Sequence, residues 1–246
     1  MIRLSEIPTR SPESLSKKQA RKITKKNCKR IGELQHLLYA EEKHSVLVIF
    51  QGMDGSGKDG AVRNIFRYCS PTGVKVHGFK KPTEEEFEHD FLWRVHKQVP
   101  QKGMIQVFNR SHYEDILIQR VHKWIDEVTV EKRMAAINAF EELLQFDNNT
   151  TIFKFYMHLS KDQQKLELQE RIDDPTKQWK HNPGDWKEAE LWDEYMKCYE
   201  YAINNSSVPW QIVPVDQRWY RDYVISGIMV EQLEALKMQL PGFKEE

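Results

Sequence analysis

Lys58 closes the segment Gly52-Met53-Asp54-Gly55-Ser56-Gly57-Lys58, and Asp59-Gly60 follow it. A glycine, four residues and then Gly-Lys is the spacing of a phosphate-cradling loop. Glycines let the backbone wrap an anion closely, so that successive N–H groups point inward. A helix starting behind the loop adds partial positive charge, and Lys58 supplies a mobile cation for the outer phosphates. Gly55, Ser56, Gly57, Asp59 and Gly60 are therefore candidate phosphate contacts. Two positions depart from the usual pattern. The Ser/Thr that ordinarily follows the lysine and holds Mg²⁺ is Asp59, and a carboxylate, Asp54, sits inside the loop.

Three further clusters carry cations or metal-competent groups. Gly78-Phe79-Lys80-Lys81-Pro82-Thr83 is one, with Lys80 and Lys81 facing anions. Asn109-Arg110-Ser111-His112-Tyr113-Glu114-Asp115 is the second. It stands where a phosphate-loop protein keeps its acidic metal-side residue, but Asn109 brings no charge. Asp54 is left as the main metal ligand, which suits Mg²⁺, since that ion takes one or two carboxylates plus phosphate oxygens and water. Arg110 offers a planar fork for phosphate. Glu114 and Asp115 read as acids at a helix start, or as partners behind the site. The third cluster, Arg171 to Lys180, is rich in Lys and Arg, is broken by Asp174-Pro175 and precedes Asn182-Pro183-Gly184-Asp185. It reads as a lid able to close over anions, with Arg171, Lys177 and Lys180 as its cations.

No Ser-His-Asp or Cys-His arrangement is legible, and phosphoryl transfer needs none, because it rests on positioning and charge neutralisation. A phosphate acceptor, with a second pKa near ~6, is ionised at neutral pH and needs no general base. The nine histidines lack metal-ligand spacing, and His112 reads as a structural hydrogen-bonding residue. The seven tryptophans read as core, with Trp179 the candidate for ligand contact.

These clusters need a frame that brings them to one rim. Strand-like runs occupy residues 46–50, 74–79, 104–108, 151–159 and 211–215. Helical patterns occupy 13–43, with Ser14 or Ser16 as cap, then 61–68, 84–97, 129–146, 161–171, 188–204 and about 220–238. Strands alternating with helices predict an α/β fold, a five-stranded parallel sheet covered on both faces, with ligands at the C-terminal strand ends. Residues 1–246 read as one domain, with residues 1–43 as a basic arm and helix and 160–190 as the lid. Pro8 and Pro12 suggest that the arm is loose.

Composition sets the outer limits. Lys+Arg and Asp+Glu both number 37, for zero net charge, so a polyanion would need a local basic patch. Residues 1–30 supply one, with ten Lys/Arg against Glu6 and Glu13. It reads either as a solvated helix face or as the margin of an anion-binding surface. No apolar run is long enough for a membrane span, and no signal-peptide core is visible. Cys28, Cys69 and Cys198 are few and scattered, which argues against disulfides and for a cytoplasmic protein.

The motifs GMDGSGKDG (52–60), FKKPT (79–83) with HDFLWR (89–94), FNRSHYEDILIQRVH (108–122), and LQERIDDPTKQWK (168–180) with LWDEYM (191–196) resemble polyphosphate kinase 2. NRSHYED, where other branches carry DRSWYNR, is similar to the class III branch. The resemblance runs from about residue 15 to 240. It implies a P-loop kinase fold with a helical lid and a basic polyphosphate channel. The activity it implies is transfer from inorganic polyphosphate to AMP and ADP, forming ADP and ATP reversibly, with Mg²⁺ or Mn²⁺. By position, Asp54 would hold the metal, Lys58 the migrating phosphoryl group, Arg110 and the lid's Arg171 its charge, and Lys80 and Arg94 substrate phosphates. Asn109 would take the place of an aspartate, and Arg120 would join the anion-binding residues. A homo-oligomer, dimer or tetramer, is expected, with neither nucleic acid nor membrane as partner. An ATP-dependent nucleoside monophosphate kinase and a non-catalytic polyanion-binding module are the alternatives.

Overall fold

The computed structural model describes residues 1–243. Five parallel strands form one sheet: β1 (Ser45–Gln51), β2 (Val74–Gly78), β3 (Ile105–Asn109), β4 (Thr150–His158) and β5 (Trp210–Pro214). Their order is β2-β3-β1-β4-β5. All seven residues of β1 are buried, which explains its unbroken apolar run, since a strand covered on both faces has no solvent side to alternate with. Phe50 of β1 stacks on Phe155 of β4 at 5.4 Å between ring centroids. Burying each such side chain is worth about 1.5–3 kcal/mol.

Among the described residues ten α-helices pack around the sheet: α1 (Lys17–Glu41), α2 (Lys58–Ile65), α3 (Glu84–Phe87), α4 (Trp93–His96), α5 (Ile118–Val121), α6 (Glu127–Asn148), α7 (Lys161–Asp173), α8 (Pro183–Glu190), α9 (Trp192–Asn204) and α10 (Arg218–Ala235). Ile31, Leu34 and Leu38 of α1 join Ile65 of α2 and Ile225, Met229 and Leu233 of α10 in one core layer. Ile137 and Phe140 of α6 join Tyr195 and Tyr199 of α9 in the other. The layers are therefore helix, sheet, helix, as the alternating pattern requires. Ser16 caps α1, Asp126 caps α6 and Ser160 caps α7, each side chain accepting a backbone N–H of the first turn.

Strand register sets the site. Phe50 pairs with Asn109, Gly78 pairs with Asn109, and Gln51 pairs with Tyr156. The segments that leave β1, β2 and β3 therefore start side by side at one rim.

Three expectations change. Residues 84–97 form two single-turn helices instead of one long helix. Thr83 and Glu86 make a reciprocal capping box for the first. Asp90 then accepts from Leu92 N at 3.0 Å, a local bond that competes with helix continuation. The helix expected over 188–204 starts earlier, with Asn182 as cap and Pro183 in its first turn, and breaks at Leu191 into α8 and α9. The N-terminal arm is pinned instead of loose. Leu4 is buried in a 3-10 turn and donates its N–H to Glu200 at 2.7 Å, while Thr9 Oγ1 donates to Asp216 at 2.8 Å.

Candidate active site

The loop after β1 turns sharply enough to need glycine. Gly57 has φ 80°, and a Cβ there would lie 2.5 Å from Arg221 Nη1. Arg221 is buried, is paired with Asp222, and donates to Gly57 O at 3.0 Å. It braces the loop from α10. From the other side, Gln164 of α7 donates to Asp54 O at 3.0 Å.

Lys58 is the first residue of α2. Its Nζ donates to Gly52 O at 2.8 Å and Met53 O at 3.1 Å, inside the loop. Burial, helped by the Arg110 charge, pushes its pKa down to about 8. Arg110 sits at the end of β3 with φ 61°, a left-handed conformation uncommon outside glycine. Its N–H donates to Phe50 O at 3.0 Å. Its guanidinium spans Asp54 Oδ1 at 2.5 Å and Glu114 Oε2 at 3.3 Å. Glu114 in turn accepts from Gln51 Nε2. Burial raises the Asp54 carboxyl, but the Arg110 and Lys58 charges overcome that and hold it below its ordinary value. Arg110 is held above its ordinary value, first by Glu114.

The segment expected to act as a lid reaches the same rim. Arg171, at the end of α7, pairs with Asp185 of α8. The Asp54 charge is felt at Asp185, whose carboxyl is raised by burial and then by Asp54. Lys180 Nζ lies 2.7 Å from Asp59 Oδ2, and Asn109 Nδ2 donates to Asp59 Oδ1 at 2.6 Å. Position 59 thus joins the loop, β3 and the segment that carries Lys180. Gly55, Ser56 and Gly60 lie within the same loop and helix start, so three of the four expected clusters, the loop, the Asn109-Arg110 segment and the Arg171–Lys180 segment, meet at the rim.

Some candidates are placed elsewhere. Arg94 is buried, paired with Asp115 at 3.3 Å and donating to Lys80 O at 2.8 Å. It holds the loop after β2 to the loop after β3, with its guanidinium buried. Its apolar neighbours explain this, since its guanidinium lies over the Phe79 ring at 5.3 Å. Arg120 pairs with Glu127 and covers the Tyr201 ring at 4.5 Å, away from the rim. Lys177 pairs with Glu170 at 2.6 Å and Asp174 at 3.4 Å, within its own segment. The Lys80 and Lys81 side chains are exposed. Trp179 is exposed, with its Nε1 bonded to Thr176 O at 3.1 Å, and Trp124 is exposed rather than core. Glu114 and Asp115 sit in a 3-10 turn, His112–Ile116, as ion-pair partners of Arg110 and Arg94.

The structure adds residues with little sequence signal. Gln164 and Arg221 hold the phosphate loop, and Gln51 holds Glu114 and Ser111 of the Arg110 segment. Beneath the Arg110 loop lies a buried polar cluster. Lys154 Nζ of β4 lies 2.5 Å from Glu141 Oε2 of α6 and 2.7 Å from the Tyr113 hydroxyl, and also contacts Ser206 Oγ. His112 Nε2 is 3.4 Å from Glu141 Oε1. A lysine in a central strand was the one signal that could have flagged it.

Among the described residues no three His, Cys, Asp or Glu side chains are grouped to hold a metal. A single loop carboxylate, Asp54, a quarter exposed beside Lys58, is a donor set that fits Mg²⁺ completing its shell from phosphate oxygens and water.

The polyphosphate kinase 2 family model matches residues 14–241. The chain is 49% identical to the AMP/ADP-polyphosphate phosphotransferase of Meiothermus ruber, covering 87% of this chain and 80% of that protein. It is 39% identical to the ADP-polyphosphate phosphotransferase of Rhodopseudomonas palustris, covering 98% and 88%. The crystal structure of polyphosphate kinase 2 from Arthrobacter aurescens TC1 superposes on all of this chain and 89% of that one, with TM-score 0.95 and 39% identity. With its phosphate loop, its NRSHYED segment and the Arg171–Lys180 segment on one rim of the sheet, the chain belongs to the polyphosphate kinase 2 family.

Proposed function

We propose that the protein moves the terminal phosphoryl group of inorganic polyphosphate reversibly to AMP and ADP, giving ADP and ATP, with Mg²⁺ or Mn²⁺. The observation that carries this reading is the convergence of Lys58, Asp54, Arg110 and the lid's Arg171 at the ends of β1 and β3. Asp54 would hold the metal, which supplies charge neutralisation on the phosphate oxygens. Lys58 exchanges the Gly52 and Met53 carbonyls for a phosphate oxygen. Arg110, anchored through Glu114, turns its other edge to the migrating group. The acceptor phosphate is already ionised, which suits a site without an obvious base.

Asn109, Glu114 and Asp115 in place of the other branches' residues support the class III reading, in which both AMP and ADP are acceptors. The free cysteines Cys28, Cys69 and Cys198 support a cytoplasmic location, and no helix among the described residues is long and apolar enough to cross a membrane. The resemblance supports a homo-oligomer. The test offers AMP and Mg²⁺ with long-chain polyphosphate and no ATP, and separates the products by chromatography. ADP followed by ATP is expected. No conversion, or conversion only when ATP is the donor, overturns the reading.

A further inference from the structure

We infer that the exposed face of α1 is a track that holds the distal part of a long polyphosphate chain outside the phosphate loop. This rests on the reaction proposed above, and it concerns residues that reaction does not use.

Between Lys17 and Arg30 the helix carries Lys17, Lys18, Arg21, Lys22, Lys25, Lys26, Lys29 and Arg30 and no acid. All but Arg30 are exposed. Only Arg30 has carboxylate partners, Glu33 and Glu234 at 2.9 and 2.8 Å, among the described residues. The arrangement works against the helix that bears it. Cations occupy its first turn, where the dipole favours anions, and that turn has no acidic residue. Lys17–Arg21, Lys18–Lys22, Arg21–Lys25, Lys22–Lys26, Lys25–Lys29 and Lys26–Arg30 are like charges one turn apart, a spacing that weakens helices. The chain as a whole is neutral, so solubility does not require this concentration of charge. A polyanion lying along the helix relieves both penalties.

Position selects the ligand. α1 and α10 run side by side in the same direction, with Asn27 beside Ser226 at 3.4 Å and Arg30 on Glu234. Five residues before Ser226, Arg221 touches Gly57 of the phosphate loop at 3.0 Å. The matching step back from Asn27 brings Lys22 level with that loop. Arg63, exposed on α2, and Arg67, exposed just past its end, belong to the same helical layer. The stripe from Lys18 to Lys29 covers about 16 Å at the helical rise. It runs beside the site that takes the chain end, as a linear polymer of fixed negative charge requires.

The test neutralises the stripe in the full chain with Lys18→Gln, Lys22→Gln, Lys25→Gln and Lys29→Gln together. The KM for long-chain polyphosphate should rise about tenfold, and its dependence on salt should flatten. The kcat at saturating polymer and the KM for AMP should stay unchanged. Tripolyphosphate, which on this proposal is held by the loop alone, should compete equally with both proteins. The Tm should rise, because the like-charge pairs are gone. Labelled long-chain polyphosphate bound without turnover provides the independent arm. If the wild type binds polymer through the stripe but phosphorylates nothing, the proposed reaction fails and the track stands. Unchanged polymer affinity in the variant overturns the track. So does an equal loss for tripolyphosphate, or loss in the variant of duplex DNA or anionic vesicle binding with polymer affinity intact.

Discussion

Arg110 Nη2 and Asp54 Oδ1 are 2.5 Å apart, although 56 residues separate them in the chain. The contact exists because Phe50 and Asn109 are register partners on adjacent parallel strands, so both strands release their chains at the same height. Arg110 pays for its place with a left-handed backbone, held by its N–H to Phe50 O and by the Glu114–Gln51 contact behind it. Its guanidinium is thereby fixed over the loop before any phosphate arrives. Preorganisation of this kind is what charge-stabilising groups require.

Arg110→Ala and Asp54→Asn should each lower kcat by about 10²-fold or more. The double variant should fall well short of the product of the two losses, because the residues act as one unit. Steady-state rates of ADP formation from AMP read this. Near-wild-type kinetics for either variant at ordinary Mg²⁺ removes that residue from the site.

Lys58 gives the site a basic limit. Its proton is lost at about pH 8 instead of the ordinary 10.5, so kcat/KM for polyphosphate should fall as pH rises through about 8, where the free enzyme loses a phosphate-binding charge. Stability moves the other way. Below about pH 8 both folded and unfolded chains hold this proton and the native state bears the cost of burying it. From about 8 towards 10.5 the unfolded chain binds the proton more, so this group's contribution to stability rises with pH. Lys58→Arg should remove the basic limb of the profile while retaining a cation. A profile unchanged by that substitution assigns the limb elsewhere, with Lys154, also depressed to about 8 by burial, as the next group to replace.

The frame and the loop were legible because they rest on local signals. Continuous apolar runs marked the strands, and Gly-x4-Gly-Lys marked the anion cradle. What escaped depends on side-chain direction across elements. Arg94 and Arg120 sit in basic motifs, but one turns onto Phe79 and Asp115 and the other onto Tyr201 and Glu127. Composition could not separate these from Arg110. Gln51 and Gln164 carry no charge to attract notice, and their value comes from the residues they meet. The arm around Pro8 looked loose because its partners, Glu200 and Asp216, lie some two hundred residues later.

The buried Lys154–Glu141 pair should behave as a strut beneath the Arg110 loop. Both side chains have no exposed surface, so Glu141→Leu alone leaves an unpaired buried ammonium and should cost about 3–5 kcal/mol. Lys154→Met combined with Glu141→Leu should recover much of that, since neither charge remains. Urea unfolding of the two singles and the double measures the coupling. Strict additivity means that the pair is not coupled.

Arg171 tests whether residues 160–190 act as a lid. It leaves α7 to pair with Asp185 of α8, and its charge helps to lower the Asp54 carboxyl, so it stands between the lid's own fold and the loop. Arg171→Ala should lower kcat by about 10²-fold through loss of charge at the migrating group. Asp185→Asn keeps the guanidinium and frees it, so it should raise the KM for polyphosphate more than it lowers kcat. Urea unfolding midpoints of both variants should stay close to wild type, because the contact ties two helices at the rim and neither core layer includes it. If Arg171→Ala shifts the midpoint while leaving kcat intact, the arginine belongs to the scaffold of the segment and the lid closes on Lys180 alone.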